Sequence, residues 1–436
     1  MTEPEPQPSF VERTLSSLRS RNFRLFFIGQ TVSNTGNWLT LVALTLLVFH
    51  RTGSGVAVGV LSACQFGPIL LLSAWAGVVI DRHDKRGLLF ITQTLEMCQS
   101  FALAALAFMP HAPLPAFYVI AAAGGCLLAF DNPARRSFVP EMEPESQVYN
   151  AATLNSALMT SARIFGPALG GALVVTAGYG WAFTLDAVSY LAVIGAIWMM
   201  RTGELRPPPR TARAKGQIRE GLRYVRGVPD LWVPLVMMTI IGTLTFNFSV
   251  VLPLFAERTL HGTDTTFTLL YSVLSIGSFA GALFTAHRRA ITVRDLVVAS
   301  LAFGATMLAL ASTPNVASAF PVALLVGCAS VAFMAASTAI VQVRAKPAMR
   351  GRVLALQAMV FIGSTPIGGP IIGAVCDRFG ARAGLAIGGL AALGTGVYGW
   401  AAVRRTSPGS IDVRAASRDR DDLRGITERV ATGQGG

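Results

Sequence analysis

Four ionisable side chains sit inside long apolar stretches of this chain: Glu96, Asp131, Arg163 and Asp186. An ionised group near the centre of a membrane helix costs about 2.5–3.5 kcal/mol on an insertion scale, so each needs a partner, water or a task. A carboxyl in such surroundings can take up and release a proton; an arginine there stays charged and donates. Asp131 lies at the end of an apolar run beside Arg135. That leaves two readings, a proton carrier or a structural pair with the neighbouring cation. Glu96 shares a polar stripe with Thr92, Gln93, Gln99 and Ser100. The stripe suits direct proton coupling, packing against the preceding helix, or the lining of a side portal. Asp186 is expected near a helix end as an interfacial group. Arg163 falls one helical turn before Gly166-Pro167, on a side with Asn155, Ser156 and Thr160. It is the best candidate for a residue beside a central pathway.

Uncharged polar groups repeat at helical spacing in two apolar runs far apart in the chain. The first carries Gln30, Asn34, Asn37, Trp38 and Thr45 on one expected face; the seventh carries Thr239, Thr243 and Asn247. Polar faces at matching places in two halves of a membrane protein point to a cavity at their interface. Tyr271, Ser275 and Ser278, with Gln65 and Gln357, are further candidates for its lining. The alternative is hydrogen bonding between helices of a dry bundle, worth about 0.6 kcal/mol per bond. A cavity of amides, hydroxyls and aromatics suits bulky, amphipathic organic molecules.

Enzyme chemistry finds no support. The chain has no G-x-S-x-G, no H-E-x-x-H and no phosphate-binding G-x-x-x-x-G-K-[ST] loop. His50, His83, His111, His261 and His287 are expected as unrelated loop or helix-end residues, and the 5 cysteines show no ligand spacing. Neither a metal nor a cofactor is expected.

The elements that must position these residues are read from composition. At 52% hydrophobic and 14% charged, with mean hydropathy +0.54, the chain is too apolar for an ordinary soluble protein. Apolar runs of about 20 residues, enough to cross a bilayer, fall at 23–49, 56–80, 88–109, 114–131, 148–176, 181–200, 230–256, 266–286, 294–312, 317–343, 351–376 and 382–403. The expected architecture is therefore all-α and integral to the membrane, with twelve spans as two six-helix repeats. A first bundle at 23–200 and a second at 230–403 are joined by a basic linker at 201–229, with tails at 1–22 and 404–436. The net charge of +13 sits between apolar runs with no aromatic interleaving, which argues against nucleic acid. With the N-terminus inside, 31 of 36 Lys+Arg fall on inner segments, while the outer loops hold Arg51, Arg258, Arg378 and Arg382. The positive-inside rule then puts both termini in the cytoplasm of a multi-pass inner-membrane protein. In the linker, Pro207-Pro208-Pro209 reads as extended and 216–226 as a short helix on the membrane surface, either a tether or a regulatory site. The C-terminal tail has almost no large apolar residues and is expected to be disordered.

The halves echo one another at an offset of 203: Ala129-Phe130 meets Ala332-Phe333, and Gly166-Pro167-x-x-Gly170 meets Gly369-Pro370-x-x-Gly373. Gly77-x-x-x-Asp81-Arg82-x-x-Lys85-Arg86 fills the loop after the second run, and Gly166-Pro167-x-x-Gly170-Gly171 the fifth run. Gly373-x-x-x-Asp377-Arg378 repeats the first half of the loop motif on the opposite face. Together these features resemble the major facilitator superfamily of secondary transporters. DNPARRSFVPEM at 131–142, NAATLNSA at 150–157 and ARIFGPALGG at 162–171 are similar to its enterobactin exporter and macrolide efflux subgroup. The resemblance implies that Asp81 gates, stabilising the outward-open state, and that the Gly166-Pro167 segment seals or rocks. The expected function is export of small organic molecules by alternating access, driven by proton antiport, in a monomer embedded in the lipid bilayer. A siderophore or metabolite exporter of narrow specificity, or a sensor that has kept the fold without transport, are the alternatives.

Overall fold

The computed structural model of the chain describes residues 16–206, 217–286 and 291–406. No strand occurs among the described residues, and twelve segments are long and apolar enough to cross a membrane. In the first half these are α1 (Arg21–Thr52), α2 (Gly55–Arg82), α3 (Lys85–Phe108), α4 (Leu114–Phe138), α5 (Glu145–Ala177) and α6 (Tyr179–Trp198). A short helix, α7 (Gln217–Arg226), precedes the second half. There α8 (Pro229–Leu244) and α9 (Phe248–Leu254) make one interrupted span, followed by α10 (Asp264–Ala286), α11 (Val293–Ala311), α12 (Val316–Arg344), α13 (Pro347–Phe379) and α14 (Ala381–Thr406).

Local chemistry sets the helix ends. The Ser54 hydroxyl accepts from Ala57 N to start α2, and the Asp84 carboxylate from Gly87 N to start α3. Gly178 and Gly380, at φ 86° and 85°, close α5 and α13, the two helices paired by the internal repeat. Only glycine takes that backbone without strain.

The seventh span departs from the expected continuous run. It breaks at Thr245–Asn247, where the Asn247 side-chain amide donates to the Thr243 carbonyl at 2.7 Å. A short amide side chain competes with the backbone for helical acceptors, and here it does so where the helix is interrupted.

The two halves meet chiefly along α2 with α13 and along α5 with α10. Their apolar packing differs at the two ends of the bundle. At the end bearing the α1–α2 turn, one continuous core takes in Phe49 of α1, Val58 and Leu61 of α2, Leu254 of α9, Leu270 of α10 and Ile372 of α13. At the opposite, basic end the halves have separate clusters. One is built around Phe23, Phe26, Ile80 and Phe138, the other around Val225, Leu231, Val353 and Leu356.

The linker helix α7 belongs to the second of these clusters. Val225 is fully buried, Glu220 pairs with Arg352 at 2.7 Å, and the Tyr224 hydroxyl accepts from Lys346 N. It is docked on protein, where the sequence suggested a helix resting on lipid. The expected extended run Pro207-Pro208-Pro209 and the tail beyond 406 lie outside the described residues.

Candidate functional site: a buried carboxylate network beside the contact between halves

Inside the first half, α1, α3, α4 and α6 enclose a polar network. Arg135 forms an ion pair with Asp131 one turn earlier and donates to Gln30 Oε1 at 2.7 Å and Asn34 Oδ1 at 3.1 Å. Asp131 Oδ1 also accepts from Thr92 Oγ1 at 3.0 Å and from Gln93 Nε2 at 2.8 Å. The same Gln93 amide donates to Glu96 Oε2 at 3.0 Å. Nearer the closed end, Asp186 Oδ2 accepts from Thr40 Oγ1 at 2.6 Å and Ser100 Oγ at 2.7 Å. Tyr190 donates to Asn37 Oδ1 at 2.6 Å.

Three carboxyls thus share the interior of one bundle with a single guanidinium, and Asp131, Glu96 and Asp186 are at most 1% exposed. Two of their oxygens, Glu96 Oε1 and Asp186 Oδ1, are buried with no hydrogen-bond partner. Unfilled polar positions beside fixed donors are where a proton or a water can be accommodated.

Two expectations need correction here. Of the three readings of the Glu96 stripe, packing against the preceding helix and a side portal do not hold, because Glu96 points into the bundle, where α3 packs on α4 and α6, while direct coupling stays open. Asp186 was expected at the interface with water; it is fully buried, because the backbone of Gly36 lets α1 approach it closely and its acceptors are filled by Thr40 and Ser100. Sequence reading gave Arg135 only as a neighbour of Asp131. Its spacing of four residues from that carboxylate was the signal for a helical pair.

The polar face expected on α1 serves two regions. Gln30, Asn34 and Asn37 turn into the network just described. Trp38 turns toward the second half, its ring centroid 6.0 Å from that of Tyr271 on α10. Around this pair α5 comes close through glycine: a Cβ at Gly166 would collide with Trp38, and one at Gly171 with Thr268 of α10. The adjoining Pro167 lies within α5, which stays helical through to Ala177. Arg163 lies one turn before Gly166 on α5.

Other candidates sit elsewhere. Gln357 donates to Ser337 Oγ at 2.8 Å, inside the second half. Asn247 is buried, with its amide on Thr243 and Gly368 packed against it. Gln65 lends its backbone carbonyl to a close approach by Gly125 of α4. Asn155 is half-buried on α5.

The motif loop at the basic end is anchored in its own half. Lys85 pairs with Glu141, and Arg86 Nε donates to the Ile197 carbonyl at 3.0 Å. Gly77 is half-buried on α2; Asp81 and Arg82 are exposed at its end. The copy at the other end crosses between halves. Asp377 accepts from Ser54 Oγ at 2.7 Å, Gly55 N at 2.7 Å and Val56 N at 3.0 Å, and Arg258 pairs with it. Next to it, His50 is not the isolated surface histidine expected. Its Nε2 is 3.3 Å from both Glu257 Oε2 and Asp264 Oδ1, and its Nδ1 is 2.6 Å from the Tyr179 hydroxyl. Glu257 and Asp264 stand more than 200 positions beyond His50, and no spacing signal reaches that far. His287 lies outside the described residues.

A bacterial homologue of the human lysosomal transporter Spinster superposes with a TM-score of 0.70 at 14% identity, over 88% of this chain and 97% of that one. A POT family transporter in complex with 5-aminolevulinic acid gives 0.71 at 11% identity, over 89% and 97%. In sequence, the chain is 23% identical to the staphyloferrin A transporter of Staphylococcus aureus, covering 82% of this chain and 90% of that protein. It is 26% identical to the multidrug efflux pump Tap of Mycolicibacterium fortuitum and 21% identical to macrolide efflux protein A of Streptococcus pyogenes, with the same coverage in each case. The family described as transmembrane secretion effector matches residues 12–418, nearly the whole length. With its twelve spans, its paired halves and this match, the chain belongs to the transmembrane secretion effectors of the major facilitator superfamily and is a membrane transporter, not an enzyme.

Proposed function

We propose that the protein exports small organic molecules across the bacterial inner membrane by proton antiport, as a monomer with its basic end and both termini in the cytoplasm. The observation that carries this reading is the position of α1. On one side it holds Gln30 and Asn34 against the Asp131–Arg135 pair; on the other it holds Trp38 against Tyr271 of the opposite half. A proton arriving at Asp131 weakens its hold on Arg135, and the guanidinium then leans on its remaining acceptors, both of them on α1. Protonation inside the first half is thereby transmitted to the surface where the halves meet. The three carboxyls against one guanidinium give the network places to carry protons, since a dry interior does not hold two uncompensated charges.

The cycle follows from the two ends. The halves, 23–200 and 230–403, rock as units about their contact, with 201–229 as the tether. Substrate enters from the basic end, where their apolar clusters are separate. Protonation from outside and release inside drive the return. Export rather than import, and organic molecules of the drug or siderophore kind, rest on the relatives named for efflux of drugs and macrolides and for staphyloferrin A.

The test uses the purified protein in liposomes with an imposed pH gradient and a pH-sensitive dye in the lumen, against macrolides, siderophores and cationic dyes. Substrate-dependent proton flux that disappears in Asp131→Asn is the expected result. Substrate movement that leaves the lumenal pH unchanged would sink antiport and leave a uniporter.

A further inference from the structure

Arg163 is a cation in the middle of a membrane-spanning helix with no carboxylate paired to it among the described residues. It takes part in none of the ion pairs among the described residues, and its buried Nε has no hydrogen-bond partner. Glu96, Asp131 and Asp186 do not serve: they lie across α1, engaged with Arg135, Gln93, Thr40 and Ser100. An unpaired guanidinium at such depth is expensive, and a structural role would be met by a carboxylate supplied in the fold.

Its surroundings are those of a site. At about 3.6 residues per turn, Ser156, Thr160, Arg163, Gly166 and Gly170 share one face of α5. Gly166 and Gly170 meet Trp38 and Leu39, so that face looks at α1, not at lipid. Toward the basic end Ser156 is nevertheless exposed, and so is Thr31 on the face of α1 that carries Trp38. Hydroxyl-bearing residues of both helices are therefore exposed on the basic-end side of Arg163. Beyond Arg163 the halves touch through the Trp38–Tyr271 pair and the glycine contact of α5 with α10.

We propose that Arg163 anchors an organic anion: the substrate carries a carboxylate or comparable acidic group that pairs with the guanidinium, while its apolar part lies against Trp38 and Tyr271. The inference deepens the transporter reading by naming the charge of what is carried. A planar, forked donor suits a carboxylate in two-point contact, and the adjoining aromatic rings suit a ring or chain attached to it. Substrates bearing only positive charge would meet repulsion at the same place.

Two xanthene dyes of similar size and opposite charge provide the test, carboxyfluorescein and rhodamine 6G. Their binding to the full-length protein in nanodiscs is followed by fluorescence polarisation with no pH gradient. The expected result is saturable binding of carboxyfluorescein, weakened about tenfold or more by Arg163→Gln and partly restored in Arg163→Lys, with rhodamine 6G binding poorly to the wild type and better to Arg163→Gln. A thermal melt of each variant, matched to the wild type, shows that folding is not what changed. Failure of the anion to bind, or anion binding indifferent to Arg163→Gln, overturns the proposal whatever the cation does. The readout separates this idea from antiport: anion binding without proton flux in liposomes removes the coupling and keeps the site, whereas proton flux driven by the cation alone removes the site and keeps the coupling.

Discussion

The two ends of the molecule carry the same short motif and use it differently. At the basic end, Gly77-x-x-x-Asp81-Arg82 leads into a loop whose Lys85 and Arg86 bind Glu141 and the end of α6, all within one half. At the other end, Gly373-x-x-x-Asp377-Arg378 reaches across: Asp377 caps the N-terminus of α2 and Arg258 ties it to the Gly53 carbonyl. A carboxylate at a helix N-terminus meets both unpaired N–H groups and the positive end of the helix dipole. Where that meeting joins two bodies it is a lock. Asp377 is such a lock, engaged, and the halves share one core there; at the basic end they do not. The halves are thus joined at one end by a shared core and a carboxylate cap and keep separate apolar clusters at the other, and the proposed alternating-access cycle would undo the first contact and assemble the second.

The largest effect is expected from filling the tightest crossing. Gly59 meets the Gly369 carbonyl and the Pro370 backbone, and Gly373 meets the Gly55 carbonyl. Gly59→Leu should abolish transport outright and leave the far end unable to close, seen as a wide distance between spin labels at Thr52→Cys and Phe379→Cys; a normal narrow distance would mean that the crossing is not the seal. Next comes Asp377→Asn. Charge-assisted hydrogen bonds are worth about 1.5–3 kcal/mol, so the same label pair should shift toward the open population by about tenfold, with folding intact. Asp81→Asn should move that equilibrium the other way, by a smaller factor. Equal direction for the two aspartates would break the comparison. The smallest effect belongs to His50. Its attraction to Glu257 and Asp264 exists while the ring is protonated and fades as pH rises through the histidine range, so far-end closure should loosen modestly with rising pH and lose that dependence in His50→Gln.

How much of this the sequence revealed depends on the range over which each feature is decided. Span length and hydropathy are local, and all twelve crossings were legible from them. The repeat was legible because Gly-Pro pairs survive at matching places in α5 and α13. The second copy of the aspartate motif could be read, but its partner at the start of α2 lies more than 320 residues away, and no spacing rule reaches that far. Glu96 shows the same limit from another side. Its stripe was visible, yet which neighbour a stripe faces is decided by the packing of α3 on α4 and α6. The break in the seventh span was hidden because Asn247 fits the four-residue polar spacing of a continuous helix while its own amide takes the Thr243 carbonyl.

The crossing of α2 and α13 has a kinetic meaning as well. Backbone touches backbone there, with no side chain between Gly59 and Gly369 or between Gly55 and Gly373. A contact without rotamers has none to reset when the helices roll, so motion at that point meets little internal friction. In the proposed antiport cycle the same bare surface would serve as both bearing and gasket.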